Sequence, residues 1–259
     1  MRHLMLAMFA CAVSPALLVG CGHDFVSKSN PKIIGGEDAG QDILPWAVRM
    51  SIDSAGLCTG SFVSPTTLIT ASHCVRSGST VMIRRYEVNS VKVIEYPGTR
   101  DVVEPNDLAI ILYPEGTAKK WTRIASKPAK VGEKVNMLGY GSCTEWEGAD
   151  TGTRRCRGTN KISSLSTNQM IQTYRTNGVA VSPGDSGGPL FRDDEALIGI
   201  ASGGDYGRDS LHVNLFLKEN IQWLKEVVAE HKAVICGLDG VTDPVCDTEA
   251  AVEIPDPVQ

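Results

Sequence analysis

Three short segments of this chain carry side chains suited to nucleophilic chemistry. Ser186 lies in Pro183-Gly184-Asp185-Ser186-Gly187-Gly188-Pro189-Leu190. Glycines so close together allow a tight backbone path that aims successive amides at one point, beside a serine oxygen that could attack a carbonyl. His73, in Leu68-Ile69-Thr70-Ala71-Ser72-His73-Cys74, offers an imidazole able to take and return a proton near neutral pH. Asp107, in Pro105-Asn106-Asp107-Leu108-Ala109-Ile110-Ile111-Leu112, enters a strongly apolar run. A carboxylate there is expected to be buried and to need partners, and an imidazole N–H is a suitable one. Each segment also has a plainer reading, as a turn, a packed histidine or a strand cap. The order His, Asp, Ser along one chain is what makes them worth joining.

Gly184-Asp185-Ser186-Gly187-Gly188 also fits the G-x-S-x-G elbow, which requires a strand before the serine, a helix after it, and the acid and histidine later in the chain. Pro189 follows almost at once, the next apolar runs read as β, and His73 and Asp107 precede the serine. That reading is rejected.

The elements that must hold these residues read as strands. Ala47–Ile52, Leu68–Ala71, Val81–Ile83, Val88–Ile94, Leu108–Leu112, Val135–Leu138 and Leu197–Ala201 are short apolar runs separated by Gly, Pro, Asp and Asn. Helical periodicity occurs only late, where Phe216, Ile221, Leu224, Val227 and Val228 fall near one face, with His231 and Lys232 in the last turn. The class is therefore all-β with one C-terminal helix. At 259 residues the chain is long enough for one large or two small β domains. A formal charge of −5 and the absence of a dense Lys/Arg run argue against nucleic acid as a partner.

The first residues read as an export signal: Arg2, then an apolar stretch from Leu4 to Val19 interrupted by Ser14 and Pro15. It ends in Leu18-Val19-Gly20-Cys21, which resembles the lipobox of bacterial lipoproteins and makes Cys21 a candidate lipid attachment site. Beyond it lie Cys58, Cys74, Cys143, Cys156, Cys236 and Cys246, an even set in an exported chain, which suggests disulfides. Many connectivities are open, and the spacing into three local pairs favours local bridges. A bridge from Cys58 to Cys74 would fix the loop bearing His73. Metal binding has little support, since no CxxC occurs and no histidine stands at ligand spacing from these cysteines.

Taken together these segments resemble the chymotrypsin–trypsin family of serine proteases. The resemblance runs from Ile33-Ile34-Gly35-Gly36 through Pro45-Trp46, the three segments above, Gly139-Tyr140-Gly141 and Ser202-Gly203-Gly204 to about Lys232. It implies two six-stranded antiparallel β-barrels with the site in the cleft between them. It further implies a serine endopeptidase working through an acyl-enzyme, with Ser186 as nucleophile, His73 as general base and acid, and Asp107 orienting the imidazole. The oxyanion hole would be the amides of Gly184 and Ser186. Cleavage between Lys32 and Ile33 by a protease of basic specificity would free an Ile33 ammonium to pair with Asp185. Ser202 would lie against Asp107, and Ser202–Gly204 would pair with substrate backbone. No cofactor is implied, the partners are protein or peptide substrates, and a monomer is expected.

The departures from the family bear on specificity. Its frequent cysteine four residues before the nucleophile is Ser182 here, so a disulfide bracing the primary pocket is missing; Cys143 and Cys156 flank a different loop. The acid that selects basic residues in trypsin-like members is replaced by Ala180. Gly204 and Ser210 would form the pocket walls, which predicts a preference for apolar over basic side chains before the scissile bond. A one-residue shift would instead bring Asp209 into the pocket. The expected organisation is a signal over 1–20, a propeptide or linker over 21–32, the protease domain over 33–232, and a partly disordered extension over 233–259. A lipid-anchored or secreted envelope location follows, the anchor preceding the activation site. A catalytically inactive binding homologue is the alternative, and the intact triad argues against it.

Overall fold

The computed structural model describes residues 33–52, 56–76, 78–99, 103–143, 154–165, 169–205 and 208–247. The export signal, Cys21, Lys32 and residues 248–259 lie outside these.

The first barrel is built from β2 (Ala47–Ile52), β3 (Gly56–Phe62), β4 (Thr67–Thr70), β5 (Val81–Ile83), β6 (Val88–Asn89), β7 (Lys92–Glu95) and β8 (Ala109–Leu112). Their order in the sheet is β6-β5-β2-β3-β4-β8-β7, all antiparallel. The Val88–Ile94 run reads as one strand in sequence but is two here. At the break, Ser90 exchanges hydrogen bonds with Val81, its N–H reaching the Val81 carbonyl and its Oγ accepting the Val81 N–H, while the Val91 N–H turns to the Leu112 carbonyl. The broken strand thus pairs with β5 at one end and β8 at the other, which closes the barrel with six strand paths.

The second barrel contains β9 (Lys134–Gly139), β10 (Cys156–Leu165), β11 (Ile171–Tyr174), β12 (Pro189–Phe191), β13 (Leu197–Gly203) and β14 (Asp209–Asn214). They run in the order β10-β11-β14-β13-β12-β9 and close through β9 pairing with β10. A two-residue strand, β1 (Glu37–Asp38), adds to the outside of β10. Met137, Leu190, Ile171, Ile198, Val179 and Val181 fill the interior with Ile33 packed among them.

The helix α1 (Lys218–His231) begins two residues after Phe216, whose N–H instead donates to Asn214 Oδ1. Phe216 therefore precedes the helix rather than lying on its face. Trp223, Leu224 and Val227 are buried, and Trp223 meets Tyr96 of the first barrel with ring centroids 5.3 Å apart. Burying each such side chain contributes about 1.5–3 kcal/mol, which is how the chain end fastens the two barrels together. Lys232 ends the helix in the left-handed conformation.

Residues 233–238, at the start of the extension expected to be partly disordered, pack against the first barrel. Ala233, Ile235, Cys236 and Leu238 are buried, and Cys236 exchanges backbone hydrogen bonds with Val63 and Ile124. The disulfide from Cys236 to Cys246 holds α2 (Pro244–Asp247) back on this segment. Among the described residues no helix is long and apolar enough to cross a membrane.

Candidate active site

His73 sits in a single 3₁₀ turn, Ser72–Cys74, that follows β4. The turn is fixed from behind by the Cys58–Cys74 disulfide, which closes a separation of 16 residues and by loop entropy contributes about 3 kcal/mol. Disulfides also join Cys143 to Cys156 and Cys236 to Cys246, so the local pairing expected from spacing holds. The sulfurs of Cys58 and Cys74 lie near the His73 ring, but they are bonded to each other and are not available as thiolate ligands.

Asp107 is completely buried just before β8. Its Oδ1 accepts the His73 backbone N–H at 2.9 Å, and its Oδ2 lies 2.7 Å from His73 Nδ1. The Ser202 hydroxyl, on β13 of the other barrel, donates to the same Oδ2 at 2.6 Å and accepts the Val103 N–H at 2.8 Å. A carboxylate accepts, so Nδ1 carries the proton and Nε2 is left with a lone pair, on a side chain that is 15% exposed. The arrangement spans both barrels: the imidazole and carboxylate come from the first and the hydroxyl from the second.

Ser186 is half-buried at the end of the loop leading to β12. Its carbonyl accepts the Thr59 N–H at 2.9 Å, one residue from the Cys58 bridge, which brings the serine loop beside the histidine turn. The Ser186 and His73 side chains share no hydrogen bond here. Such contacts are commonly long in unliganded sites and close when substrate binds.

Four of the six non-proline amides over residues 182–188 are committed. Ser182 donates to Asp185 Oδ2, Asp185 to the Ser182 carbonyl, Gly187 to Ala201 and Gly188 to Asp185. Among the non-proline residues 182–188, only Gly184 and Ser186 have N–H groups without an acceptor. Gly184 is in the positive-φ region at 101°, and a Cβ there would stand 2.9 Å from the Gly141 Cα. No other residue type follows this path without strain.

Asp185 is buried, its Oδ1 accepting the Gly141 N–H at 2.8 Å and its Oδ2 the Ser182 N–H at 2.8 Å. The Ser182 hydroxyl lies 3.0 Å from the same Oδ2 and 2.9 Å from the Ser142 carbonyl. Burial outweighs these hydrogen bonds and raises the Asp185 carboxyl to about 6. No cation of the described residues is paired with it. Ile33 is buried in the same barrel, and the Ile34 carbonyl accepts the Ala180 N–H.

Ala180 and Ser210 are both completely buried, and Ser210 Oγ accepts the Val181 N–H at 3.0 Å. A Cβ at Gly204 would stand 2.5 Å from the Asp209 carbonyl oxygen, so that position admits only glycine. Gly203 pairs with Leu211 across β13 and β14. Both carboxylate oxygens of Asp209 are engaged, Oδ2 by the Gln172 side-chain amide at 2.7 Å and Oδ1 by the Asp205 N–H at 3.0 Å.

Three residues near these segments gave no signal in sequence. His212, two positions along β14 from Ser210, is wholly buried with neither ring nitrogen hydrogen-bonded, and burial lowers it to about 3. Arg155 is buried, its guanidinium donating to the carbonyls of Ala39, Gly40, Ile43, Leu44 and Ala47. Desolvation lowers its pKa. Thr59 is also wholly buried, against the serine loop.

Residues 33–221 match the protein-family model described as Trypsin. The chain is 27% identical over 224 residues to a trypsin-like protease of Streptomyces glaucescens, covering 76% of this chain and 80% of that one. It is 28% identical over 221 residues to a trypsin of Simulium vittatum, covering 72% and 89%. Its fold is similar to that of neuropsin, a serine protease expressed in mouse brain, with a TM-score of 0.61, 22% identity, and coverage of 74% and 97%.

Proposed function

Since this chain belongs to the trypsin family of serine proteases, we propose that it is an endopeptidase in which Ser186 attacks the scissile carbonyl and forms an acyl-enzyme. His73 Nε2 takes the serine proton and returns it to the leaving amine. Asp107 keeps the proton on Nδ1 and stabilises the imidazolium, with Ser202 sharing the carboxylate. The observation that carries this reading is the pair of uncommitted amides at Gly184 and Ser186, in a loop whose other amides are all bonded. Donors held ready where negative charge develops need no reorganisation during the reaction. Ser202, Gly203 and Gly204 offer their backbone to the substrate as an added strand. The protein acts as a monomer.

The primary pocket takes apolar side chains, aromatic or Leu and Met, in preference to basic ones. Ala180 stands where a carboxylate would be needed, and the oxygens of Asp209 are held by Gln172 and Asp205. One experiment tests both site and preference. Matched peptidyl phosphonates ending in Phe, Leu or Arg are expected to label Ser186, the Phe and Leu reagents faster than Arg. Because an apolar pocket discriminates by only about 1–3 kcal/mol per methylene, the preference is graded. Labelling elsewhere than Ser186 would overturn the site, and faster labelling by the Arg reagent the pocket.

The protein is made as an exported precursor, lipid-anchored through Cys21, and is activated by a protease of basic specificity that cuts between Lys32 and Ile33. The new Ile33 ammonium pairs with Asp185, which has no cationic partner among the described residues. The anchor precedes the cut, so activation frees the protease. Fractionation is expected to move the catalytic domain from membrane to supernatant on complete cleavage. Retention on the membrane after complete cleavage would overturn the anchor at Cys21.

A further inference from the structure

Thr59 makes four hydrogen bonds, and two go directly to the serine loop. Its hydroxyl donates to the Gly184 carbonyl at 2.9 Å and accepts the Tyr140 N–H at 3.1 Å. Its N–H donates to the Ser186 carbonyl at 2.9 Å, and its own carbonyl accepts the Thr70 hydroxyl at 3.0 Å. Thr59 is completely buried in β3, directly after the Cys58 half of the disulfide behind His73.

These contacts fix two peptide planes. The 184–185 peptide is held through its carbonyl by Thr59 Oγ1 and through its N–H by the Ser182 carbonyl. The 186–187 peptide is held through its carbonyl by the Thr59 N–H and through its N–H by the Ala201 carbonyl. The free amides of Gly184 and Ser186 border these clamped planes, so their directions follow from where Thr59 sits. Gly184 at φ 101° is open to rotation that most residues resist, and a carbonyl anchor is what keeps it in one orientation. The backbone bond from residue 59 is available to any residue type. The hydroxyl bridge between Tyr140 and Gly184 needs Thr or Ser, since it must accept and donate at once.

We propose that Thr59 is a positioning residue for the oxyanion hole, its hydroxyl holding the Gly184 peptide in the orientation the tetrahedral intermediate requires. This rests on the reading of Gly184 and Ser186 as the oxyanion donors. Thr59 touches no reacting atom; it acts through the loop. Its effect therefore falls on the transition state rather than on substrate affinity.

The test compares wild type, Thr59→Ser, Thr59→Val and Thr59→Ala, each as protein beginning at Ile33. Thr59→Val is nearly isosteric and leaves the Tyr140 N–H and the Gly184 carbonyl without their partner. Thr59→Ala does the same with space to spare, should valine crowd Gly188, where a Cβ would already lie 3.3 Å from the Thr59 Cβ. Val and Ala are expected to lower kcat by about 10–100-fold with KM within about 3-fold of wild type, and Ser to restore most of the loss. Affinity for a peptide aldehyde, which forms a tetrahedral adduct, is expected to fall in parallel with kcat, while affinity for the matching product peptide stays unchanged. Equal kcat in all four proteins, or equal losses for aldehyde and product peptide, would overturn the role of Thr59. A loss in Thr59→Ser as large as in Thr59→Ala would also overturn it. Failure of wild type to be labelled at Ser186 by a phosphonate would instead sink the underlying site assignment.

Discussion

Replacing Ser186 with alanine is expected to lower kcat by roughly 10⁴–10⁶-fold while leaving the far-ultraviolet circular dichroism unchanged. The serine is half-buried, and its backbone holds Thr59 through the carbonyl, a bond that survives the substitution. Loss of the hydroxyl is therefore expected to remove the proposed nucleophile without loosening the loop. His73→Ala is expected to cost a comparable amount, and the double variant no more than either single one, because nucleophile and base act as a unit. Turnover should be measured on protein beginning at Ile33 and normalised to folded protein. Near wild-type kcat in Ser186→Ala would show that another group attacks the substrate.

The second large effect concerns pH and the state of the chain at Ile33. Burial raises the Asp185 carboxyl from 3.8 to about 6. A carboxyl raised on folding contributes stability that is full below its unfolded pKa and is lost as pH rises through the folded value. In the uncut precursor Asp185 is therefore expected to withdraw about 3 kcal/mol of stability between pH 4 and 7. An ammonium brought beside it reverses the sign, holding the carboxyl ionised and making the pair favourable at neutral pH. His212 works in the opposite direction. Burial lowers it from 6.5 to about 3, so its contribution is present above 6.5 and is lost as pH falls toward 3. Its effect is the same in both forms and cancels in their difference. Urea unfolding of cut and uncut protein, in a Ser186→Ala background that prevents self-digestion, isolates the Asp185 effect. The advantage of the cut form is expected to be small at pH 4 and to grow by several kcal/mol by pH 7. A difference independent of pH would remove Asp185 as partner of the new terminus.

Much of this site was legible because its residues break local rules. Asp107 is a charge at the mouth of an apolar strand, and a charge there has to be satisfied by something. The glycines around Ser186 break any regular element, which marks a backbone shaped for a purpose. Short apolar runs bounded by polar and turn residues, such as Ala47–Ile52 and Val81–Ile83, carry their own signal. Gly56–Phe62 and Cys156–Leu165 do not, because their buried positions include Thr59, Ser61 and Asn160, polar groups that only tertiary partners satisfy. Thr59 and Arg155 were illegible for the same reason. Nothing in a lone Thr or Arg tells which distant carbonyls it will meet. The packed segment after Lys232 lacks helical or strand periodicity, and its order comes from contact with Val63 and Ile124.

Arg155 has a consequence for how fast and how completely the new terminus would find its carboxylate. Its guanidinium anchors the chain from Ala39 onward, and β1 is already paired to β10 just before that anchor. After a cut at Lys32 the new ammonium would sit on a leash of a few residues, Ile33 to Gly36, attached to the very barrel that holds Asp185, with Ile33 already buried in that barrel and the Ile34 carbonyl accepting the Ala180 N–H. Leashes this short present an end group to its receptor at an effective concentration in the millimolar range or above. Docking of the new Ile33 ammonium on Asp185, as proposed, would then be a first-order event, independent of dilution, and the activated state would be expected to persist at any protein concentration at which the chain is folded.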